Sequence, residues 1–268
     1  METDRWRHPV LFWPADSKRA MEREEYAKMY DLEDSHWWFL GKQAIARSLI
    51  SSYVSLSPED QILDVGCGTG GMMSLLQQYG KTFGLDICSL GLQYASRRGL
   101  TSLSQGSVLS LPFADDSFAL ITSFDVLYHE QVDSDVCALQ ELHRICRPGG
   151  ILVLTDSALP ILYSQHDEAY HATRRYTARQ LRGKVEAAGF RIRKLSYMNT
   201  FLFPAVLAVR LWKRHIHEDG VPCSDLWAVP PLLNRILYSI YHLEASLIPW
   251  IDLPIGSSLV CVAQKDVA

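Results

Sequence analysis

Short apolar runs at residues 61–66, 82–87, 101–106, 118–124 and 149–156 alternate with stretches whose apolar positions recur every three or four residues. The runs predict buried strands and the intervening stretches predict helices. The helical period is clearest over 132–146, where Val132, Val136, Leu139, Leu142 and Ile145 share one face and Asp135, Gln140 and Glu141 lie off it. Strands alternating with helices predict an α/β fold with a parallel sheet covered on both faces, and such sheets bind ligands at the carboxyl ends of their strands.

The flanks are read the same way. Thr177-Ala178-Arg179-Gln180 forms a capping box, Leu181 and Val185 share the face that follows, and Gly189 stops the helix. Strands are expected at 190–198 and 257–263. At the other end, residues 1–15 carry Trp6, Phe12 and Trp13 without a clear period, as an arm or leader, and 16–30 is charged enough for an exposed helix. His36-Trp37-Trp38-Phe39 opens the next helix, with Ser35 as its cap and Ile45, Leu49 and Ile50 on its apolar side.

Between the last two strands lies an apolar segment with Phe201, Phe203, Leu207, Leu211 and Trp212, then Leu232, Leu233, Ile236, Leu237, Ile240 and Tyr241 at helical spacing. Two packed helices are the simplest account; a substrate lid, a dimer face or a membrane-surface helix near Lys213 and Arg214 are the functional ones. The expected organisation is therefore an N-terminal arm and helical lid (1–58), a core (59–199), a helical insertion (200–254) and a last strand that completes the core sheet (255–268).

Composition narrows the partners. With 48% hydrophobic and 21% charged residues and a net charge of -4, the chain has no general basic field for nucleic acid, and a nucleic-acid substrate is not expected. Six cysteines without a C-x-x-C pair point to reduced thiols in a cytoplasm. No apolar run is long enough to span a membrane, which leaves peripheral contact, and a monomer and a homodimer are equally compatible with the sequence.

The first strand runs into Asp64-Val65-Gly66-Cys67-Gly68-Thr69-Gly70-Gly71. Glycines directly after a strand let the backbone approach a ligand that any Cβ would obstruct. Gly66, Gly68 and Gly71 also satisfy G-x-G-x-x-G, and Asp86 at the end of the second run is placed to hold ribose hydroxyls. The ligand expected is a nucleotide or nucleoside.

With these residues the chain resembles the class I S-adenosylmethionine-dependent methyltransferases, especially bacterial ones acting on sugars, lipids or secondary metabolites. Leu111-Pro112-Phe113-Ala114-Asp115-Asp116-Ser117-Phe118 looks like the family's stretch before the fourth strand, and Arg147-Pro148-Gly149-Gly150-Ile151-Leu152 like its turn into the fifth. The resemblance implies a Rossmann-like seven-stranded sheet with an antiparallel last strand, and S-adenosyl-L-methionine as cofactor. It assigns Gly66, Cys67, Gly68 and Gly70 to the amino-acid end of that cofactor, Asp64 to its ammonium or to ordering that loop, Asp86 to its ribose, Ile87 to the adenine face, Phe124 to the pocket wall, and Ser107 or the Val108 amide to adenine.

The implied reaction is in-line methyl transfer to a small molecule, with a hydroxyl preferred because histidines and acids surround the cleft. His129, after the fourth strand, is either a general base or a structural hydrogen-bonding group, and His171 is the second candidate base. Trp38, Tyr128, Arg175 and Tyr176 are expected at the substrate, although Trp37, Trp38 and Phe39 equally suit a core anchor. A metal site from His166, Asp167 and His171 lacks supporting ligands and none is expected. Two other readings stay open: a nicotinamide-dependent oxidoreductase, and a binding protein that keeps the cofactor pocket without catalysis.

Overall fold

A computed structural model describes residues 23–215 and 227–267. The expected arm over 1–15, Cys223 and the side chains of Lys213 and Arg214 lie outside the described residues. In chain order the elements are α1 (Arg23–Leu32), α2 (Trp37–Tyr53), β1 (Gln61–Val65), α3 (Gly71–Leu76), β2 (Lys81–Asp86), α4 (Ser89–Arg97), β3 (Leu103–Gln105), β4 (Phe118–Phe124), α5 (Asp135–Ile145) and β5 (Cys146–Ser157). After a 3-10 turn at Pro160–Leu162 come α6 (Gln165–Ala169), α7 (Ala178–Ala187), β6 (Phe190–Met198), α8 (Phe203–His215), α9 (Pro231–Leu247) and β7 (Ser258–Lys265).

The strands form one sheet in the order β3-β2-β1-β4-β5-β7-β6. Pairing is parallel from β3 through to β5, and β7 runs antiparallel to both β5 and β6. The sheet is a Rossmann-like seven-stranded one whose strand order reverses between β1 and β4.

Alternation along each strand divides the core into two layers. Ile62, Leu120, Val153, Val260 and Val262 face the layer built with Ile45, Leu49 and Ile50 of α2 and Tyr241 and Ala245 of α9. Leu63, Ile121, Leu152, Leu154 and Cys261 face the other, built with Leu139 and Leu142 of α5 and Leu181 and Val185 of α7. Because both faces are covered, the strands read as continuous apolar runs rather than half-polar ones.

Local expectations fail in two places, each for a visible reason. His36, not Ser35, caps α2: its Nδ1 accepts from the Trp38 amide at 3.3 Å, and Asn234 of α9 accepts from the Trp37 amide at 2.8 Å. A distant side chain has thus fixed where the helix starts. Asp135, expected on the outer face, is buried, because Ser134 caps α5 and Asp135 accepts from the Tyr176 hydroxyl at 2.9 Å and from Lys184 at 2.8 Å. The capping box at Thr177 and the left-handed stop at Gly189 (φ +100°) form as expected.

The segment between β6 and β7 makes a roof. Glu244 of α9 accepts from the amides of Asn199, Thr200 and Phe201, which stitches the helix to the end of β6. Tyr241 packs so closely on α2 that a Cβ at Gly41 would fall 1.8 Å from its ring. The outer part of the roof is apolar and open: Trp212 of α8 and Leu232, Leu233 and Ile236 of α9 are exposed. Among the described residues no helix is long and apolar enough to cross a membrane.

Candidate functional site

One cavity of about 520 Å³ opens where the strand order reverses, above the carboxyl ends of β1, β2 and β4 and beneath α1, α2, α8 and α9. Its two ends differ in kind. The first is floored by the glycine turn after β1. Gly66 has φ +75°, and a Cβ there would sit 2.3 Å from Val126 Cγ2, so both the conformation and the space require glycine.

Asp86 organises this turn. One carboxylate oxygen accepts from the Gly68 amide and the other from the Cys88 amide, both at 2.8 Å. A carboxylate has about four lone-pair sites, so acceptor capacity remains on the cavity side. Asp64, buried at the end of β1, accepts from the Thr122 hydroxyl at 2.7 Å. Glu33, between α1 and α2, accepts from the Thr69 hydroxyl and closes the loop from above.

Burial raises all three carboxyl groups. Asp64 is pushed up to about 7 by desolvation, against the Thr122 hydrogen bond, with Glu33 and Asp86 adding repulsion. Desolvation also raises Asp86, against its amide donors, and Glu33, against Thr69 and Arg98. Near the end of β5, desolvation pushes Asp156 to about 7, against backbone hydrogen bonds from Ser157 and Leu127.

The second end is aromatic, with basic groups. Trp38 stacks on Tyr241 (5.7 Å between centroids, 30° between planes), and Lys42 Nζ lies over the Trp38 ring, 4.8 Å from its centroid. The aromatic cluster anchors α2 to α9 and also forms cavity wall. Lys42 pairs with Asp125, a residue in the left-handed region (φ +60°) after β4, and burial lowers the lysine to about 8. Tyr128, His129, Tyr170, Arg175 and, from the roof, Arg210 continue the wall.

Most of the expected residues come together here. Asp64, Gly66, Cys67, Gly68, Asp86, Ile87, Ser107, Val108 and Phe124 line the cavity, with Trp38, Tyr128, His129 and Arg175. Gly70 does not: at φ +89° it turns the chain into α3, and a Cβ there would meet Leu100 at 2.5 Å. Ser107 reaches the wall with its hydroxyl accepting from the Leu109 amide at 3.2 Å.

Two residues expected at the substrate or the chemistry lie elsewhere. Tyr176 is buried under the sheet's other layer, with its hydroxyl committed to Asp135. His171 lies off the wall, its Nδ1 3.6 Å from Glu130 and its ring 5.9 Å from that of His129. His129 itself is lowered to about 4 by burial, reinforced by His171, and its Nδ1 accepts from the Gln131 amide at 3.2 Å. With Nδ1 as acceptor, a neutral imidazole carries its proton on Nε2 and presents a donor there.

The wall also includes Tyr26, Met29 and Glu33 of the α1 region, Asn199 after β6, and Arg210 of α8, none of which the sequence singled out. No local signal in the sequence set Arg210 apart. Among the described residues no group of histidines, cysteines and carboxylates is arranged to hold a metal.

Residues 63–154 match a family model described as a methyltransferase domain. Strand order, glycine turn and this match agree: residues 63–154 form a methyltransferase domain with the fold of the class I S-adenosylmethionine-dependent enzymes. The cofactor of that class is S-adenosylmethionine, and the first end of the cavity fits it. Buried carboxylates raised by desolvation suit an ammonium and a sulfonium, Asp86 suits a ribose diol, and Gly66 lets the turn pack against Val126 at the floor.

More particular likenesses are partial. The demethylmenaquinone methyltransferase of Geobacillus stearothermophilus is 35% identical over 111 residues, 38% of this chain and 47% of that one. The phosphoethanolamine N-methyltransferase of Plasmodium falciparum is 27% identical over 172 residues, 60% of this chain and 65% of that one. The chain thus spans between about half and two-thirds of the length of these relatives. Among solved structures, a chain of the complex between the Haloferax volcanii Trm112 methyltransferase activator and a methyltransferase aligns over 91% of this chain and 96% of its own, with TM-score 0.58 and 20% identity. The geranyl diphosphate C-methyltransferase of Streptomyces coelicolor aligns over 82% of this chain and 75% of its own, with TM-score 0.56 and 13% identity. Likeness at that identity concerns the fold.

Proposed function

We propose that the protein transfers a methyl group from S-adenosylmethionine to a hydroxyl of a small molecule held at the aromatic end of the cavity. The single observation that carries this reading is the polarity of the cavity: buried carboxylates gather at the glycine turn, and aromatic and basic residues gather opposite. The cofactor, when bound, supplies a methyl carbon activated by its sulfonium. Small-molecule acceptors are also named for the relatives, a demethylmenaquinone in one case and phosphoethanolamine in another.

The protein's own work is alignment, and proximity can supply several kcal/mol of the barrier. Gly66, Gly68 and Cys67 hold the amino-acid end with Asp64, and Asp86 holds the ribose. Ile87, Val108 and Phe124 bound the adenosyl moiety, with Ser107 at the adenine edge. Trp38 and Tyr128 form the acceptor's walls. His129 donates through Nε2 to the acceptor oxygen and leaves one of its lone pairs for attack. The bound cofactor would supply its methyl carbon to that oxygen, and the Asp125 carboxylate, which Lys42 holds in place, would take the hydroxyl proton. This arrangement gives no chemical step to His171 or Tyr176, and none to a metal.

Thermal unfolding with S-adenosylmethionine, S-adenosylhomocysteine and NAD added separately tests the reading. At about a hundred times its dissociation constant a ligand adds about 2.7 kcal/mol of stability, or about 5 to 10 °C for a chain of this size. Both adenosyl ligands are expected to raise the midpoint and NAD to leave it unchanged. A shift with NAD alone would overturn the reading in favour of an oxidoreductase.

A further inference from the structure

The wall of the cavity farthest from the glycine turn is made where β5 and β6 end and β7 begins. Ser157 closes β5, Ser258 opens β7 directly opposite it, and Asn199 follows β6; all three line the cavity. On the face of the sheet toward α2 and α9, these strands carry Val153, Val260 and Val262, and their side chains then change to hydroxyls at Thr155, Ser157 and Ser258. Ser258 and Asn199 are buried, so the change is not a response to bulk solvent.

Asn199 is the most constrained of the three. Its φ is +60°, a region that a residue other than glycine keeps only where its surroundings hold it there. Glu244 of α9 accepts from its backbone amide, and its side-chain Nδ2 donates to the Ser257 hydroxyl at 2.8 Å. The side-chain oxygen has no hydrogen-bond partner, although the residue is only 2% exposed. Ser123 and Tyr241 also keep an unpaired oxygen, but neither stands in the cavity wall. Leaving a buried acceptor unpaired costs free energy, which a donor reaching it from the cavity would recover.

Strand order sets how far this acceptor is from the chemistry. Asp125 follows β4, and β5, β7 and β6 succeed it in the sheet, so Asn199 stands three strands away, roughly 14 Å at the usual strand spacing. Ser157 and Ser258 fall between. We infer that Asn199 determines specificity: its side-chain oxygen accepts from a second hydroxyl of the methyl acceptor, at the end remote from the cofactor, with Ser157 and Ser258 along the molecule's length. The inference rests on the cavity being a methyltransferase's acceptor site, and it makes the acceptor a diol or polyol rather than a simple alcohol. Serine hydroxyls and an asparagine amide are neutral and both donate and accept, which suits hydroxyl partners and favours no charged group. A second fixed point also serves the transfer: a molecule held at one hydroxyl can swing about it, and one held at two presents its reacting oxygen in a single orientation.

The experiment is calorimetric titration of the full chain, saturated with S-adenosylhomocysteine, with the α,ω-alkanediols from butanediol to decanediol and with the 1-alkanols of the same chain lengths. The ratio of diol to alkanol affinity is expected to pass through a maximum at one length, about tenfold above its value for the shortest pair. Asn199→Gly, which keeps the left-handed backbone and loses the amide, is expected to remove the maximum; Asn199→Asp, which keeps an acceptor there, is expected to retain it. A ratio that does not change with length in the wild-type protein, or binding of neither series, overturns the proposal with no variant needed, and so does a maximum that survives Asn199→Gly undiminished. Failure of S-adenosylhomocysteine to bind would instead strike the methyltransferase reading, and the same titrations without it still decide whether Asn199 reads a hydroxyl.

Discussion

The two ends of the cavity are built by opposite strategies. At the glycine turn, the groups that face the ligand are contributed by consecutive residues and their backbone: Gly66, Cys67 and Gly68 follow directly on β1, and Asp86 ends the neighbouring strand. At the other end, Trp38, His129, Arg175 and Arg210 arrive from α2, a loop after β4, a loop before α7 and the roof. A site made of backbone and adjacent residues is fixed by the sheet itself. A site made of separate side chains is fixed only once every layer has packed. The first design suits a cofactor common to many reactions, the second an acceptor particular to one.

Asp86→Asn gives the largest test of that contrast. It removes the charged acceptor for the ribose and points an amide at the Gly68 or Cys88 N–H, so affinity for S-adenosylhomocysteine is expected to fall about a hundredfold. Binding of acceptor-like diols should change little by comparison. Equal loss at both ends, measured by titration of each ligand, would mean that they are one cooperative unit.

Protonation gives a middle-sized effect confined to the first end. Asp64 is raised to about 7, so the folded protein binds more protons than the unfolded chain between about pH 4, the ordinary range for Asp, and pH 7. This group's contribution to stability without cofactor is therefore full below about pH 4 and is lost as pH rises through about 7. A ligand bearing an ammonium favours the ionised form and reverses the slope: its affinity should rise by up to about tenfold per pH unit below 7. Calorimetry in two buffers of different ionisation enthalpy should show proton release on binding at pH 6.5. Proton-neutral binding would mean that the ligand's charge lies away from Asp64.

Tyr176→Phe is the smallest test. It deletes the hydroxyl that donates to Asp135, while Lys184 remains as partner to that carboxylate. A loss of about 1 kcal/mol of stability is expected, with the dissociation constant for S-adenosylhomocysteine unchanged. A weakened cofactor would bring the layer beneath the sheet into the site after all.

The legibility of the site follows the same division. Strands were readable because both faces of the sheet are covered, so each strand is a continuous apolar run. The glycine turn was readable because its chemistry is local, and Asp86 because strand ends align in a parallel sheet. Sequence spacing failed for Tyr176 and His171: both follow β5 in a loop expected over the cleft, but the loop turns Tyr176 under the sheet and His171 toward Glu130. Glu33 and Arg210 had no local signature, since each acquires its role from a partner far along the chain, Thr69 in one case and Asp167 in the other.

The place of β7 between β5 and β6 has a consequence in time. β6 is hydrogen-bonded in the sheet to β7 alone, and β7 follows α8 and α9 in the chain. On the ribosome, β6 emerges with no strand to receive it and must wait, as an open edge, until the roof has been made. The cofactor turn by then has its neighbours β1, β2 and β4, whereas the acceptor end has not yet received its helix. A newborn chain would thus be able to recognise its cofactor before it possessed a complete place for the molecule it modifies.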